Sequence, residues 1–265
     1  MTDIHLNFLK SNSDITKFCD FVKADMQDFD GVIITGDISE GLTLVGHLEH
    51  LYINLQKPIY YVLGNHDYWH QTWDRVETRV KNLYNRNNKI IWLGASPVIK
   101  LSDTTALIGH DGWYDAFHGD WMRSSFRMAD WHYIHDFLHV TGNIGAIVGI
   151  SRKRADIAAT YVDMRVREAF AQGFMTVLVA THVPPFEECA RHNGNPSDAE
   201  ALPWYTSKLM GDALLHLANE FPNNRIVVLC GHTHDGYRMT IKPNLEVVVG
   251  PSDYGRPQWN KIQVK

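Results

Sequence analysis

Through its first hundred residues the chain alternates between two hydrophobic periods. Between residues 13 and 29, Ile15, Phe18, Cys19, Phe21, Val22 and Met26 recur at helical spacing behind Ser13 and Asp14, two candidate caps, and predict an amphipathic helix. The Gly-Val-Ile-Ile-Thr segment at 31–35 is β-branched and apolar on both faces, as a strand covered on both sides must be. The alternation then repeats, with a helix at about 42–56 before a strand at 59–63, and a helix at about 71–84 before a strand at 90–93. Residues 98–101 and 104–108 flank a Ser-Asp turn and predict a hairpin.

From Asp111 to about Gly173 the rhythm breaks. Aromatic residues and histidines crowd 113–139, glycines space 142–149, and a helix is predicted at roughly 151–171, so this stretch is expected to be a cap-like helical insertion. Alternation resumes with a strand at 176–180, a helix near 205–220 and a strand at 225–230, and ends in short strands at 237–241, 245–249 and 261–264. Without internal repeats, low-complexity tracts or linkers, the pattern predicts one α/β domain over residues 1–265.

Composition narrows the function. The 265 residues are 45% hydrophobic and 21% charged, ordinary for a globular chain, and no apolar run approaches the roughly 18 residues of a membrane span. A net charge of -5 repels nucleic acid and anionic lipid, so neither a polynucleotide nor a membrane is an expected partner. Cys19, Cys189 and Cys230 form no CxxC pair and argue for a reducing compartment; the start MTDIHLNF lacks a charged-then-apolar leader, and the expected location is cytoplasmic. Fifteen histidines, scattered along the chain, direct attention to metal sites.

The candidate ligands fall where strands end. Gly36-Asp37 follows VIIT, Gly64-Asn65-His66-Asp67 follows YYVL, Thr181-His182 follows TVLVA, and Gly231-His232-Thr233-His234 follows IVVLC. Strand ends of an open α/β sheet share one crevice, so these residues are expected to converge. Asp3-Ile4-His5 leads the set, its Asp and His expected on one side of an extended backbone; the same alternation is expected to align His232 and His234. Taken singly each motif is more often a turn or a cap than a ligand. Together, Asp3, His5, Asp37, Asn65, His182, His232 and His234 form an oxygen and imidazole donor set suited to two divalent ions such as manganese, iron, zinc or nickel. Two dications about 3.5 to 4 Å apart repel by roughly 15 to 20 kcal/mol at an effective dielectric of 20, which demands a bridging carboxylate and hydroxide; Asp37 is the expected bridge. Two aspartates and one hydroxide leave such a cluster at formal +1, which favours an anionic substrate, and phosphate esters fit.

In order and spacing these motifs resemble the calcineurin-like metallophosphoesterase superfamily, over residues 3–234. The resemblance implies a four-layer α/β/β/α sandwich and hydrolysis of phosphate esters by a metal-bound hydroxide. It assigns one ion to Asp3, His5, Asp37 and His234 and the other to Asp37, Asn65, His182 and His232, with His66 and Asp67 as a catalytic pair that assists the leaving group. The second motif reads Gly36-Asp-Ile-Ser-Glu40 where protein phosphatases of the superfamily carry Asp-Arg-Gly, and the third ends in Asp67 rather than Glu, so small phosphodiesters are the expected substrates. The alternatives are a phosphomonoesterase or protein phosphatase, a nuclease, and a non-catalytic binding module on the same fold.

Asn65, His66, His110 and Trp113 are the expected substrate contacts, Asp115 a further pocket candidate, and His118, Arg123, Arg127, Trp131, His132, His135 and His139 a candidate lid. Acids at 111, 115, 120, 130 and 136 leave that insertion no basic groove. His47, His50, His70, His192 and His216 lack ligand partners in sequence and are assigned to surface or packing. Only Met1 and Thr2 precede Asp3, where relatives in the superfamily have a buried strand. Either the recorded sequence begins downstream of the true start or pairing is rearranged there, and Asp3 and His5 are expected to be the least firmly held ligands.

Overall fold

The computed structural model describes residues 1–264. Its elements, in chain order, are α1 (Asn12–Met26), β1 (Val32–Thr35), α2 (Leu44–Leu55), β2 (Ile59–Val62), α3 (Trp73–Arg86), β3 (Ile90–Trp92), β4 (Ile99–Lys100), β5 (Thr105–Gly109), α4 (Asp130–Tyr133), α5 (Ile144–Ala171), β6 (Thr176–Ala180), β7 (Arg191–His192), β8 (Asn195–Pro196), α6 (Leu202–Tyr205), α7 (Lys208–Glu220), β9 (Arg225–Cys230), β10 (Tyr237–Lys242) and β11 (Leu245–Val249). Two sheets result. One is parallel, in the order β1-β2-β3; the other runs β10-β11-β9-β6-β5-β4, parallel inside with antiparallel strands at both edges.

Three apolar clusters stack these elements into four layers. Helices α1, α2 and α3 pack on one face of the three-stranded sheet through residues such as Phe18, Leu48, Leu51 and Val80. Val62 and Leu93 meet Leu107, Leu178 and Ala180 between the sheets. Ala158, Val162 and Val166 of α5 and Leu214 and Leu217 of α7 cover the far face of the larger sheet. The α/β/β/α sandwich follows from strands whose Val and Ile residues face a neighbour on both sides.

Boundaries moved where local chemistry outweighed periodicity. The cap of α1 is Ser11, whose Oγ accepts from the Asp14 amide, rather than Ser13 or Asp14. Helix α5 begins at Ile144 because Asn143 Oδ1 accepts from the Ala146 amide at 3.0 Å. It passes through Gly149, beside which a side chain would meet open space. Its later turns cover the larger sheet through Ala158, Val162 and Val166, so the helix belongs to the outer layer of the sandwich and not to a cap. Residues 261–264 form no strand, and the β7–β8 hairpin carried no alternating pattern by which to expect it. No helix among the described residues is long and apolar enough to cross a membrane.

The irregular part of the insertion is not a detachable lid. Trp113, Tyr114, Trp131 and Phe137 are buried in the same cluster as α1, α2 and α3. The start of the chain lies along the free side of β1, where the Met1 amino group donates to Ile33 O and the Thr35 amide to Met1 O. The Asp3, His5 and Leu6 amides then donate to the carbonyls of Gly36, Asp37 and Ile38.

Candidate metal centre

The ends of β1, β2, β6 and β9 meet at one place, as their order in the two sheets requires, and the chain start joins them. Asp3 and His5 are fully buried, Asp37, Asn65, His182 and His232 nearly so, and His234 is half-buried. The backbone that presents them is not extended: Asp3, His5, Asp37, His232 and His234 all have φ between 40° and 71°. Both expectations of strand alternation are thereby corrected. In Asp3-Ile4-His5 and in His232-Thr233-His234, left-handed turns rather than an alternating strand aim the side chains. Non-glycine residues held in this region are strained by about 1 to 3 kcal/mol each and persist where the surroundings fix them. The surroundings do so here through the amide bonds from Asp3 and His5 and through the His232 amide, which donates to the Asp3 carboxylate at 3.1 Å.

The motif glycines permit this crowding. A side chain at Gly64 would overlap Asp37 Oδ1 and the Asp37 amide, and one at Gly231 would overlap Thr2 Oγ1 and Asp3 Oδ2.

Two clusters form, and Asp37 faces both. In the first, ligand atoms of Asp3, His5, Asp37 and His234 lie within 4.8 Å of one another, with His5 Nε2 3.3 Å from His234 Nε2 and 3.7 Å from Asp37 Oδ2. In the second, His182 Nε2 lies 3.4 Å from Asp37 Oδ1, 3.0 Å from Asn65 Oδ1 and 3.2 Å from His232 Nδ1.

Outer partners fix what each atom of the second cluster can be. His182 Nδ1 donates to Thr35 O at 2.9 Å, which leaves Nε2 as the lone-pair atom. His232 Nε2 donates to Trp204 O at 2.9 Å, which leaves Nδ1 as the lone-pair atom. Asn65 Nδ2 donates to Asp130 Oδ1 at 2.9 Å, which turns its Oδ1 inward. His182 Nε2 thus faces two further acceptors, Asn65 Oδ1 at 3.0 Å and His232 Nδ1 at 3.2 Å, with no proton on any of the three, an arrangement that a cation resolves. The donor set contains no sulfur, and burial pushes the Cys19 and Cys189 thiols up to about 12, so they stay protonated.

The electrostatics of these buried groups agree with a cation site. Burial lowers His5 and His232 to about 3, keeping both neutral as ligation requires. Asp3 is held low because His234, His182 and His5 outweigh the effect of its burial. Burial, and then the Asp3 and Asp67 carboxylates, push Asp37 well above the usual range. A carboxyl so placed ionises fully only with positive charge beside it.

The remaining predicted residues divide. His66 sits at the centre: its amide donates to Asp37 Oδ1 at 2.9 Å, its Nε2 lies 3.8 Å from Asp37 Oδ2, and its ring stacks on Trp69 at 3.6 Å. Asp67 is not its partner. The Asp67 carboxylate accepts the amides of Ile38, Ser39 and Gly64, tying the loop after β1 to the loop after β2, and is a positioning group. Trp113 is 2% exposed within an aromatic core formed with Tyr68, Trp73 and Phe137, so it is not a substrate contact. The His110 ring faces Tyr161 of α5, and its Nδ1 accepts the Gly112 amide, which removes it from the substrate as well. Asp115 is buried and accepts the Leu209 and Phe117 amides. Of the candidate lid, Arg123 is exposed beside Asp120, Arg127 bonds to the carbonyls of Ser124 and Phe126, Trp131 is core, His118 faces Thr206 Oγ1, and His132, His135 and His139 are exposed.

Three contributors carried no motif. Asp130, fully buried, also accepts from Trp69 Nε1 at 2.8 Å and Tyr114 OH at 3.2 Å, and so sets the position of both Asn65 and the His66 stack. Trp204 contributes only a carbonyl. The Tyr254 ring lies 4.5 Å from His5 and 4.8 Å from His234.

The sequence profile of calcineurin-like phosphoesterases matches residues 1–236. No curated protein sequence matches the chain significantly. Among solved structures, it resembles a phosphopantetheinyl hydrolase from Mycobacterium tuberculosis at 14% identity and TM-score 0.56, covering 96% of this chain and 88% of that one. It also resembles a dimetal phosphatase from Danio rerio at 16% identity and TM-score 0.54, covering 93% and 79%. At these identities the likeness is one of fold.

Proposed function

The chain belongs to the calcineurin-like phosphoesterase family, and on that premise we propose that it hydrolyses small phosphodiesters at a centre of two divalent ions. Membership makes it a hydrolase of phosphoester bonds. The ions, one on Asp3, His5, Asp37 and His234 and the other on Asp37, Asn65, His182 and His232, belong to the set manganese, iron, zinc or nickel that accepts imidazole and oxygen donors. The observation that carries the assignment is the set of inward acceptors on Asn65, His182 and His232, which a cation satisfies.

Divalent ions held there supply Lewis-acid polarisation of phosphoryl oxygens and a nucleophile at neutral pH. The chain's own groups do the rest. Asp37 offers one oxygen to each cluster, and Asp67 and Asp130 hold the loops on either side. His66, clamped on Trp69, is placed to donate from Nε2 to the departing oxygen.

The preference for diesters is supported by the second and third motifs: Gly36-Asp37-Ile38-Ser39-Glu40 lacks the arginine of the superfamily's protein phosphatases, and the third motif ends in Asp67 rather than Glu. A cytoplasmic setting accords with the three unpaired cysteines. The experiment is a panel of bis(p-nitrophenyl) phosphate, p-nitrophenyl phosphate and cyclic nucleotides after reconstitution with each metal. Faster turnover of a diester is expected. Faster turnover of the monoester with every metal overturns the diester reading.

A further inference from the structure

Around His66 the surface is aromatic to an extent that metal binding does not require. The rings run without a break: Phe8 to Tyr254 at 4.8 Å, Tyr254 to His5 at 4.5 Å, His5 to His66 at 4.7 Å, His66 to Trp69 at 3.6 Å, and Trp69 to Tyr133 at 4.9 Å. Phe8, Tyr254 and Tyr133 are 50%, 48% and 41% exposed, although each is large and apolar enough to bury readily. They come from three separate parts of the chain: the loop after His5, the segment after β11 and the end of α4. Among the described residues the Tyr254 hydroxyl has no hydrogen-bond partner. The Ser252 amide donates to His234 O and Ser252 Oγ donates to Asp3 O at 2.6 Å, so the segment bearing Tyr254 is fastened directly to two candidate ligand residues.

We propose that Phe8, Tyr254, Trp69 and Tyr133 form a rim that binds a planar aromatic group on the substrate's leaving alcohol, with Tyr254 the residue that sets this preference. The inference rests on the phosphodiester reading of the same centre and extends it to the substrate's chemistry. His66, the group placed to face the departing oxygen, is the middle of the row, so whatever leaves passes between Tyr254 on one side and Trp69 on the other. No charged side chain belongs to the row to favour a cationic or anionic leaving group. Aromatic faces prefer a flat π-partner to an aliphatic one of the same size, in stacked or edge-on contact. Phe8, Tyr254 and Tyr133 stand on the surface because their partner is the substrate.

The test compares two phosphinates that have no ester bond, benzyl(methyl)phosphinate and cyclohexylmethyl(methyl)phosphinate, which share charge and carbon count and differ in planarity. Binding to the metal-loaded protein is measured by calorimetry, so that it does not depend on turnover, and turnover of bis(p-nitrophenyl) phosphate is followed separately. The benzyl compound is expected to bind about tenfold more tightly, the scale of one or two aromatic contacts. Tyr254→Leu should bring the ratio to about threefold or less while two ions remain bound, and Tyr254→Phe should keep it. Equal affinities in the wild type, or an unchanged ratio in Tyr254→Leu, would overturn the rim. Absence of turnover with a preserved ratio would instead count against the phosphodiester reading alone.

Discussion

The two halves of the centre are built differently. In the second cluster every ligand has a partner behind it: Thr35 O behind His182, Trp204 O behind His232 and Asp130 behind Asn65. In the first, His5 Nδ1 is buried with no partner, His234 is half-buried, and the rings are steadied by packing against Phe8 and Tyr254. Hydrogen bonds fix tautomer and orientation, whereas aromatic packing fixes only the plane of a ring. The second cluster is therefore preorganised, and the first takes its final geometry from the ion. The expectation that Asp3 and His5 hold the weaker ion thus acquires a different reason. Asp3 and His5 are well anchored through their backbones; what the first cluster lacks is support behind the imidazoles of His5 and His234.

The largest effect sharpens the comparison by sparing both halves. His66 belongs to neither cluster, so His66→Ala should lower kcat by about 10²-fold or more while metal analysis still finds two ions per chain. Loss of an ion would make His66 a ligand and merge the halves. Asp130→Ala strikes the second half alone. It leaves the Asn65 amide and the Trp69 N–H without an acceptor in a buried place, and should weaken the tighter ion by about 10- to 100-fold while the weaker one is unchanged. Equal weakening of both ions would show that the two clusters are one cooperative unit.

The smallest effect concerns acid in the absence of metal. His5 in one half and His232 in the other are each held at about 3 by burial, against 6.5 unfolded. Below pH 6.5 the unfolded chain takes up protons that the folded chain refuses, so stability falls as pH drops from about 6.5 toward 3. Asp37 acts in the opposite sense. Its raised value means that stability is lost as pH climbs above 3.8, the unfolded value, so the metal-free fold is burdened at neutral pH until cations bind. Urea midpoints of the chelated protein should therefore fall more steeply below pH 6.5 than those of a His5→Asn/His232→Asn double variant, in which the raised carboxyls remain but these two imidazoles do not, and metal should raise the wild-type midpoint at pH 7. The same pH slope in the wild type and the double variant would contradict the assigned histidines.

The same contrast explains what the sequence revealed. Strand ends were legible because β-branched runs stop abruptly at Gly36, Gly64 and Gly231, and the ligand types after them are distinctive. Their geometry was not, since alternation is a property of extended chain and Asp3, His5, Asp37, His232 and His234 are left-handed. Trp113 is an expected substrate contact and Trp131 a candidate lid residue in a histidine-rich stretch, yet a tryptophan's large apolar area makes burial its strongest tendency. Asp130 looked like one of several surface acids, and Trp204 contributes a carbonyl, which residue type does not encode. Tyr254 follows the last regular strand, where no periodicity signals its fold back over His5.

The central claim is that Asp37 joins two unequal ion sites. Calorimetric metal titration of the wild type beside Asp37→Asn tests it most directly. The wild type should take up two ions per chain in separable steps. In Asp37→Asn the neutral bridge no longer offsets repulsion between dications, so a single ion should remain, held by Asn65, His182 and His232. Two ions bound to Asp37→Asn with wild-type affinities would contradict the account.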